Sequence, residues 1–132
     1  MRTPLTFLLT TAAIPAMAQD TAAIQNTIDG QMAAFTARDV SRAFDFASPN
    51  IQRIFNSATN FGQMVEHGYP MVWNNADTRF LSLRQEGPRW VQRVLLTDQG
   101  GAVFVLEYFM IETADGWLID GVDLMPAPEG TA

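Results

Sequence analysis

The stretch Arg89–Met125 limits the possible folds most, because three runs rich in β-forming residues follow one another there, with glycine-marked turns between them. Gln99-Gly100 and Asp115-Gly116 stand where two-residue hairpin turns need positive φ angles. Strands joined by such short turns pair with each other in antiparallel order. The stretch therefore predicts an antiparallel meander.

A further strand is predicted before this stretch, and a turn at Gly87-Pro88 connects the two. Its apolar side chains are divided between both faces, which is typical of an edge strand. In chain order, the predicted strands are Thr78–Gln85, Trp90–Thr97, Ala102–Thr113 and Trp117–Leu124.

The chain before Ala76 has the apolar spacing of helices instead. We predict a first helix that begins at the N-cap Asp20 and ends near Arg38, weakened by about 1 kcal/mol at Gly30. Its buried face carries Ile24, Ile28, Met32 and Phe35. Helices followed by a meander indicate an α+β domain, with the helices on one face of a curved antiparallel sheet of four strands.

Capping residues predict three shorter helices in the same region. The predicted N-caps are Asp39 for the second helix, Ser48 for a third over Pro49–Asn56, and Ser57 or Thr59 for a fourth. Gly68 predicts the end of the last helix, and Tyr69-Pro70 predicts an extended link after it.

The two hairpin turns also predict the strand register. A turn centred on Gln99-Gly100 places Arg93 and Glu107 on opposite faces, whereas a turn shifted by one residue places both on one face. A turn centred on Asp115-Gly116 places Tyr108 opposite Asp123.

The first 18 residues, Met1–Ala18, have the parts of a secretory signal peptide that is cleaved after Ala18. Arg2 gives a positive start, and the uncharged run Leu5–Pro15 is too short to span a bilayer. We therefore expect a protein exported to the periplasm or beyond, without membrane insertion. Residues 19–126 should form a single domain, and residues 127–132 a flexible tail.

The charge balance argues against nucleic acid as a partner, because 14 acidic residues stand against 8 basic ones and lysine is absent. The chain has one histidine and no cysteine, so neither disulfides nor a transition-metal site is expected. It also lacks the glycine-rich motifs that bind nucleotides, and we expect no cofactor.

Several segments, taken in order, resemble the bacterial family labelled "domain of unknown function 4864". They are SRAFDFASPNIQRIF, a GYP step, VQRVLLTDQGGAVFVLEYFM and the closing DGWLIDGVDLMPAP. The resemblance covers about Gln19 to Pro128 and implies an NTF2-like (SnoaL-like) fold, in which helices and a curved sheet enclose a cone. That fold group contains isomerases, cyclases and dehydratases as well as modules without catalysis, so the resemblance implies a pocket and no particular reaction.

Seven residues are candidates for such a pocket: Arg93, Tyr108, Asp120, Trp90, Trp117, Glu107 and His67. A guanidinium cannot be buried alone, so Arg93 either pairs with Glu107 or binds a carboxylate ligand. His67 is either a general base or a histidine that meets the carbonyls at a helix end. Tyr108 either works with a strand acid in acid–base chemistry or has its hydroxyl satisfied by that acid.

Three functions remain open from the sequence. The leading hypothesis is a non-catalytic module that binds a small apolar or carboxylate ligand in its cone, or a second subunit through its sheet. The alternative is a small isomerase, cyclase or dehydratase that uses Tyr108, Asp120 or Asp123, and Arg93 or His67. The third is a structural dimer whose cone is filled by side chains. An open cavity would separate the first two hypotheses from the third.

Overall fold

The computed structural model describes residues 16–126. Almost all of the predicted signal peptide and the whole predicted tail at 127–132 lie outside the described residues. The described helices are α1 Ala16–Thr36, α2 Val40–Asp45, α3 Pro49–Phe55, α4 Ala58–Gly68 and α5 Pro70–Trp73. The strands are β1 Asn75–Glu86, β2 Arg89–Asp98, β3 Val103–Thr113 and β4 Gly116–Leu124.

The four strands form one antiparallel sheet in the order β1-β2-β3-β4, and the helices pack on one of its faces. The predicted α+β class and meander are therefore confirmed, while the assignment to the NTF2-like folds stays a prediction. No helix within residues 16–126 combines the length and the apolar character needed to cross a bilayer.

Helix α1 packs on the sheet through the predicted face, whose four side chains are at most 4% exposed. The predicted start was wrong, because the helix begins at Ala16 and not after a cap at Asp20. Asp20 instead lies within the helix, where its carboxylate accepts a hydrogen bond of 3.4 Å from the indole Nε1 of Trp117. The helix ends at Thr36, close to the predicted end.

The predicted N-caps are confirmed for Asp39, Ser48 and Ser57. Each of these side chains accepts a hydrogen bond of 3.1–3.2 Å from the backbone N–H three residues later. The extended link at Tyr69-Pro70 was wrong. Pro70 begins the single turn α5, since a proline costs no hydrogen bond at a first helical position.

The register between β2 and β3 follows the shifted turn, because Arg93 lies directly opposite Glu107. The turn centred on Gln99-Gly100 was therefore wrong by one residue. The loop has three residues and ends at Gly101, whose φ of 87° requires glycine. The carboxylate of Asp98 fixes this loop by accepting two backbone hydrogen bonds of 2.9 Å.

The register between β3 and β4 also differs from the prediction. Gly116 begins β4, so the turn is centred one residue earlier, and an irregularity follows between Phe109 and Met110. As a result, Tyr108 lies opposite Val122 and not opposite Asp123. The predicted pair of Tyr108 and Asp123 does not form.

Within residues 16–126, one face of the sheet is covered by the helices, and the other face is not. We call the side that meets the helices the helix-covered face, and its central side chains are 0% exposed: Gln92, Val94, Leu96, Leu106, Tyr108 and Met110. We call the opposite side, which carries Arg93 and Glu107, the outer face. The core of the domain lies between the helix-covered face and the helices.

Candidate functional site

A cavity of about 250 Å³ lies between the helices and the helix-covered face. Every helix except α2 contributes to its wall, together with β3 and β4. The rings of Phe35, Phe55 and Phe61 form its aromatic part, and Phe61 packs 6.0 Å from Phe35 and 5.8 Å from Phe55 between ring centroids. This aromatic cluster connects α1, α3 and α4, and it gives the cavity a packed wall.

The mouth of the cavity is formed by lining residues that are half-buried, whereas its floor is buried. Ile51, Phe55, Met64, Tyr69 and Val122 are partly exposed, and they belong to α3, α4, the start of α5 and β4. The cavity therefore opens to the surface among α3, α4, the start of α5 and β4.

Three polar side chains line this otherwise apolar cavity: Gln31, Tyr69 and Tyr108. Gln31 donates its Nε2 to the carbonyl of Ala43 at 3.1 Å, and the Tyr69 hydroxyl donates to the carbonyl of Val122 at 3.1 Å. The Tyr108 hydroxyl is fully buried and has no hydrogen-bond partner within residues 16–126. Burial, with a smaller effect from nearby Tyr69, raises the pKa of Tyr108 well above its usual range, so the phenol keeps its proton.

Arg93 and Glu107 lie on the outer face, away from the cavity. The Glu107 carboxylate, whose side chain is 7% exposed, accepts hydrogen bonds from Arg84 at 2.6 and 3.1 Å and from Arg93 at 3.1 and 3.3 Å. The hydrogen bonds from Arg84, and then those from Arg93, hold the pKa of Glu107 below its usual range against the effect of burial. The pairing of Arg93 with Glu107 is confirmed, and Arg84 is a partner that sequence reasoning missed.

Asp120 does not line the cavity either, although it lies close to the mouth. Its carboxylate accepts a hydrogen bond of 2.8 Å from the Ser48 hydroxyl and lies 3.5 Å from the Arg89 guanidinium. The same guanidinium stacks 4.5 Å above the ring of Phe109. Asp120 therefore fixes the start of α3, where Ser48 is the N-cap, to the sheet.

The other candidates also lie outside the cavity lining. Trp117 is buried against α1, and Trp90 packs partly buried at the edge of the core. The Nδ1 of His67 donates to the carbonyl of Gln63 at 2.8 Å in the last turn of α4, so its position at a helix end is confirmed. Tyr108 is the one candidate from the sequence that lines the cavity.

Metal and acid–base chemistry find little support in this geometry. Within the described chain, no three potential metal ligands of the His, Cys, Asp or Glu type lie together. The lining residues include neither a carboxylate nor an imidazole. A proton-abstracting reaction needs such a base within hydrogen-bond reach of the substrate.

Sequence reasoning missed most of the cavity wall, including Gln31, Ile51, Phe55, Phe61, Met64 and Tyr69. The sequence signal for the apolar members was their place on short helices with one apolar face. That signal is the same for a side chain that fills a core and for one that lines a cavity, so the sequence could not separate them.

The comparisons with known proteins identify a family for this chain. No match was found among the curated proteins or among the solved structures. The chain does match the family described as Domain of unknown function (DUF4864) over residues 17–132, which is nearly its whole length. The chain therefore belongs to the DUF4864 family.

Proposed function

We propose that this protein is a non-catalytic module that binds one small, largely apolar molecule in the cavity between its helices and its sheet. The observation that carries the proposal is the cavity itself. Protein interiors are close-packed and contain few voids larger than a water molecule. A volume of about 250 Å³ with an apolar wall and a mouth is therefore too large to be a packing defect.

The cavity volume sets the size of the ligand. An apolar cavity of about 150 Å³ holds one benzene molecule, so the volume here accommodates about ten non-hydrogen atoms. At about 0.5 kcal/mol per atom, such a ligand binds with a Kd of about 0.2 mM. A bicyclic hydrocarbon such as indane has a suitable size and is a practical probe.

The catalytic alternative lacks its predicted acids at the cavity. Asp120 is held by Ser48 and Arg89, and Asp123 is exposed beside Glu107 at the far end of β4. Neither lines the cavity, so a substrate inside it would meet no base from the predicted set.

We further propose that the protein is exported, on the strength of the sequence of Met1–Ala18. Met17, Ala18 and Gln19 are exposed at the start of α1, so cleavage after Ala18 would remove no described core side chain. The intact mass of the protein recovered from the periplasm or medium tests this, and a mass that includes residues 1–18 would contradict it.

A titration with indane tests the proposed binding, and the methyl NMR signals of the cavity wall report on it. We expect saturable binding to one site, and signals of Ile51 and Val122 that shift more than those of outer-face residues. Ile51→Trp places an indole in the mouth and should weaken binding at least about tenfold.

Ile54→Trp is the matched control for this experiment. Ile54 lies on the same helix α3, is 63% exposed and does not line the cavity. This variant should bind indane like the wild type. Absence of binding to the wild type, or equal weakening in both variants, would rule out the cavity as the binding site.

A further inference from the structure

We infer that the ligand is an uncharged molecule that carries a hydrogen-bond acceptor, such as a ketone or ester carbonyl, and that the Tyr108 hydroxyl donates to this acceptor. This inference rests on the proposed function, because it concerns the same cavity. It adds the chemical class of the ligand and the residue that selects it.

The state of the Tyr108 hydroxyl is the first observation. Tyr108 lies in the middle of β3, between its cross-strand partners Gln92 and Val122, and the whole residue is 0% exposed. Its hydroxyl lacks a hydrogen-bond partner within residues 16–126, although the residue lines the cavity. Native proteins rarely leave a buried hydroxyl unpaired, because the group loses its bonds to water and gains none in return.

The other two polar side chains of the cavity wall each donate a hydrogen bond within the protein. The Tyr69 hydroxyl donates to a backbone carbonyl at 3.1 Å, and the Gln31 amide nitrogen donates to another at 3.1 Å. The second buried group without a partner, Oε1 of Gln92, belongs to a residue that does not line the cavity. Tyr108 is thus the lining residue, among those described, whose buried side-chain polar group makes no hydrogen bond within the protein.

The charge of the ligand follows from the same wall. The described lining residues include no arginine and no histidine, and Arg84 and Arg93 bind Glu107 on the outer face. An ionised carboxylate inside the cavity would lose its water without meeting a cation, which is strongly unfavourable. Burial also raises the pKa of Tyr108, so its hydroxyl is a donor throughout the usual pH range. Both conditions favour a neutral acceptor.

Three probes of one shape test the inference: indane, indanone and indanecarboxylate. The carbonyl of indanone adds one acceptor to indane, and we expect the wild type to bind indanone about tenfold more tightly than indane. Indanecarboxylate should bind more weakly than indane at neutral pH. The infrared carbonyl band of bound indanone should lie at a lower frequency than in hexane, as expected for a carbonyl that accepts a hydrogen bond.

Tyr108→Phe removes the donor and keeps the ring, and Glu112→Gln, an exposed residue of the same strand β3 that does not line the cavity, is the control. In Tyr108→Phe we expect the preference for indanone and the infrared shift to disappear. Glu112→Gln should keep both the preference and the shift.

The outcomes separate the two proposals. If indane binds but indanone is not preferred, or if the preference survives in Tyr108→Phe, the inference is overturned while the proposed function stands. Preferred binding of indanecarboxylate would also overturn it. If no probe binds the wild type, the proposed function fails and the inference fails with it.

Discussion

Substitution of Glu107 by glutamine tests whether the charged cluster on the outer face stabilises the fold and takes no part in binding. Glu107 is 7% exposed and lies opposite Arg93 on the neighbouring strand, with Arg84 bound to both of its oxygens. Breaking a buried ion pair by removing one partner costs about 3–5 kcal/mol, whereas an exposed pair contributes about 0–1 kcal/mol.

The expected cost lies between these limits. The side chains of Arg84 and Arg93 are 40% and 43% exposed, so water screens their attraction to Glu107 and solvates them after the substitution. We therefore expect Glu107→Gln to lower the free energy of unfolding by about 1–2 kcal/mol at pH 7. For a domain of this size, this corresponds to a fall in Tm of about 4–8 °C.

The effect of pH has a definite sign. The arginines hold the pKa of Glu107 in the folded protein below its value in the unfolded chain, which is about 4.3. This carboxylate therefore contributes stability above about pH 4.3, and the contribution is lost as the pH falls through the pKa of the folded state. Because Glu107→Gln lacks the contribution at every pH, the difference between wild type and variant should shrink on acidification.

Urea denaturation at several pH values from about 7 down to about 3.5 measures this difference. Glu112→Gln, an exposed acid on the same strand β3, is the matched control and should leave the stability unchanged. Indane should bind Glu107→Gln like the wild type, because the cluster lies on the other face of the sheet. A variant as stable as the wild type at pH 7, or a difference that does not change with pH, would refute this account of the cluster.

Two further substitutions test packing on the helix-covered side. Gly30→Ala should lower the free energy of unfolding, measured in urea, although alanine favours helices, because the added Cβ would lie 2.6 Å from the ring of Phe46. Gly68→Ala is the control, because its added Cβ meets nothing closer than 4.0 Å. A stabilised Gly30→Ala would contradict the close contact. In the ligand-free protein, Tyr108→Phe should be as stable as the wild type or more stable by up to about 1 kcal/mol, since it removes an unpaired buried hydroxyl. Tyr69→Phe loses a hydrogen bond and should be less stable than the wild type. A destabilised Tyr108→Phe would indicate a partner for the Tyr108 hydroxyl.

The helices and strands could be predicted from the sequence because their signals are local. The spacing of Ile24, Ile28 and Phe35 defines one helical face, and the caps at Asp39 and Ser48 mark where helices begin. Gly30 shows the limit of such reasoning. The sequence indicates a weak point in the helix, whereas the structure shows a close approach of the Phe46 ring.

The register could not be predicted with the same certainty, because it depends on loop length. Gln99-Gly100-Gly101 offers two glycines, and the sequence does not show which one takes the positive φ angle. The partner Arg84 was missed for a related reason. The irregularity between Phe80 and Leu83 changes the alternation of faces in β1, and no sequence pattern marks it.

The edge of β4 is covered from Trp117 to Val122 by the helical part of the chain. The carbonyls of Trp117, Ile119 and Val122 accept hydrogen bonds from Thr27, Ser48 and Tyr69, respectively. An uncovered edge strand is a template on which another chain can add a strand and start an aggregate. Those contacts occupy three of the acceptors that such a strand would need, which disfavours extension of the sheet by a second molecule at β4.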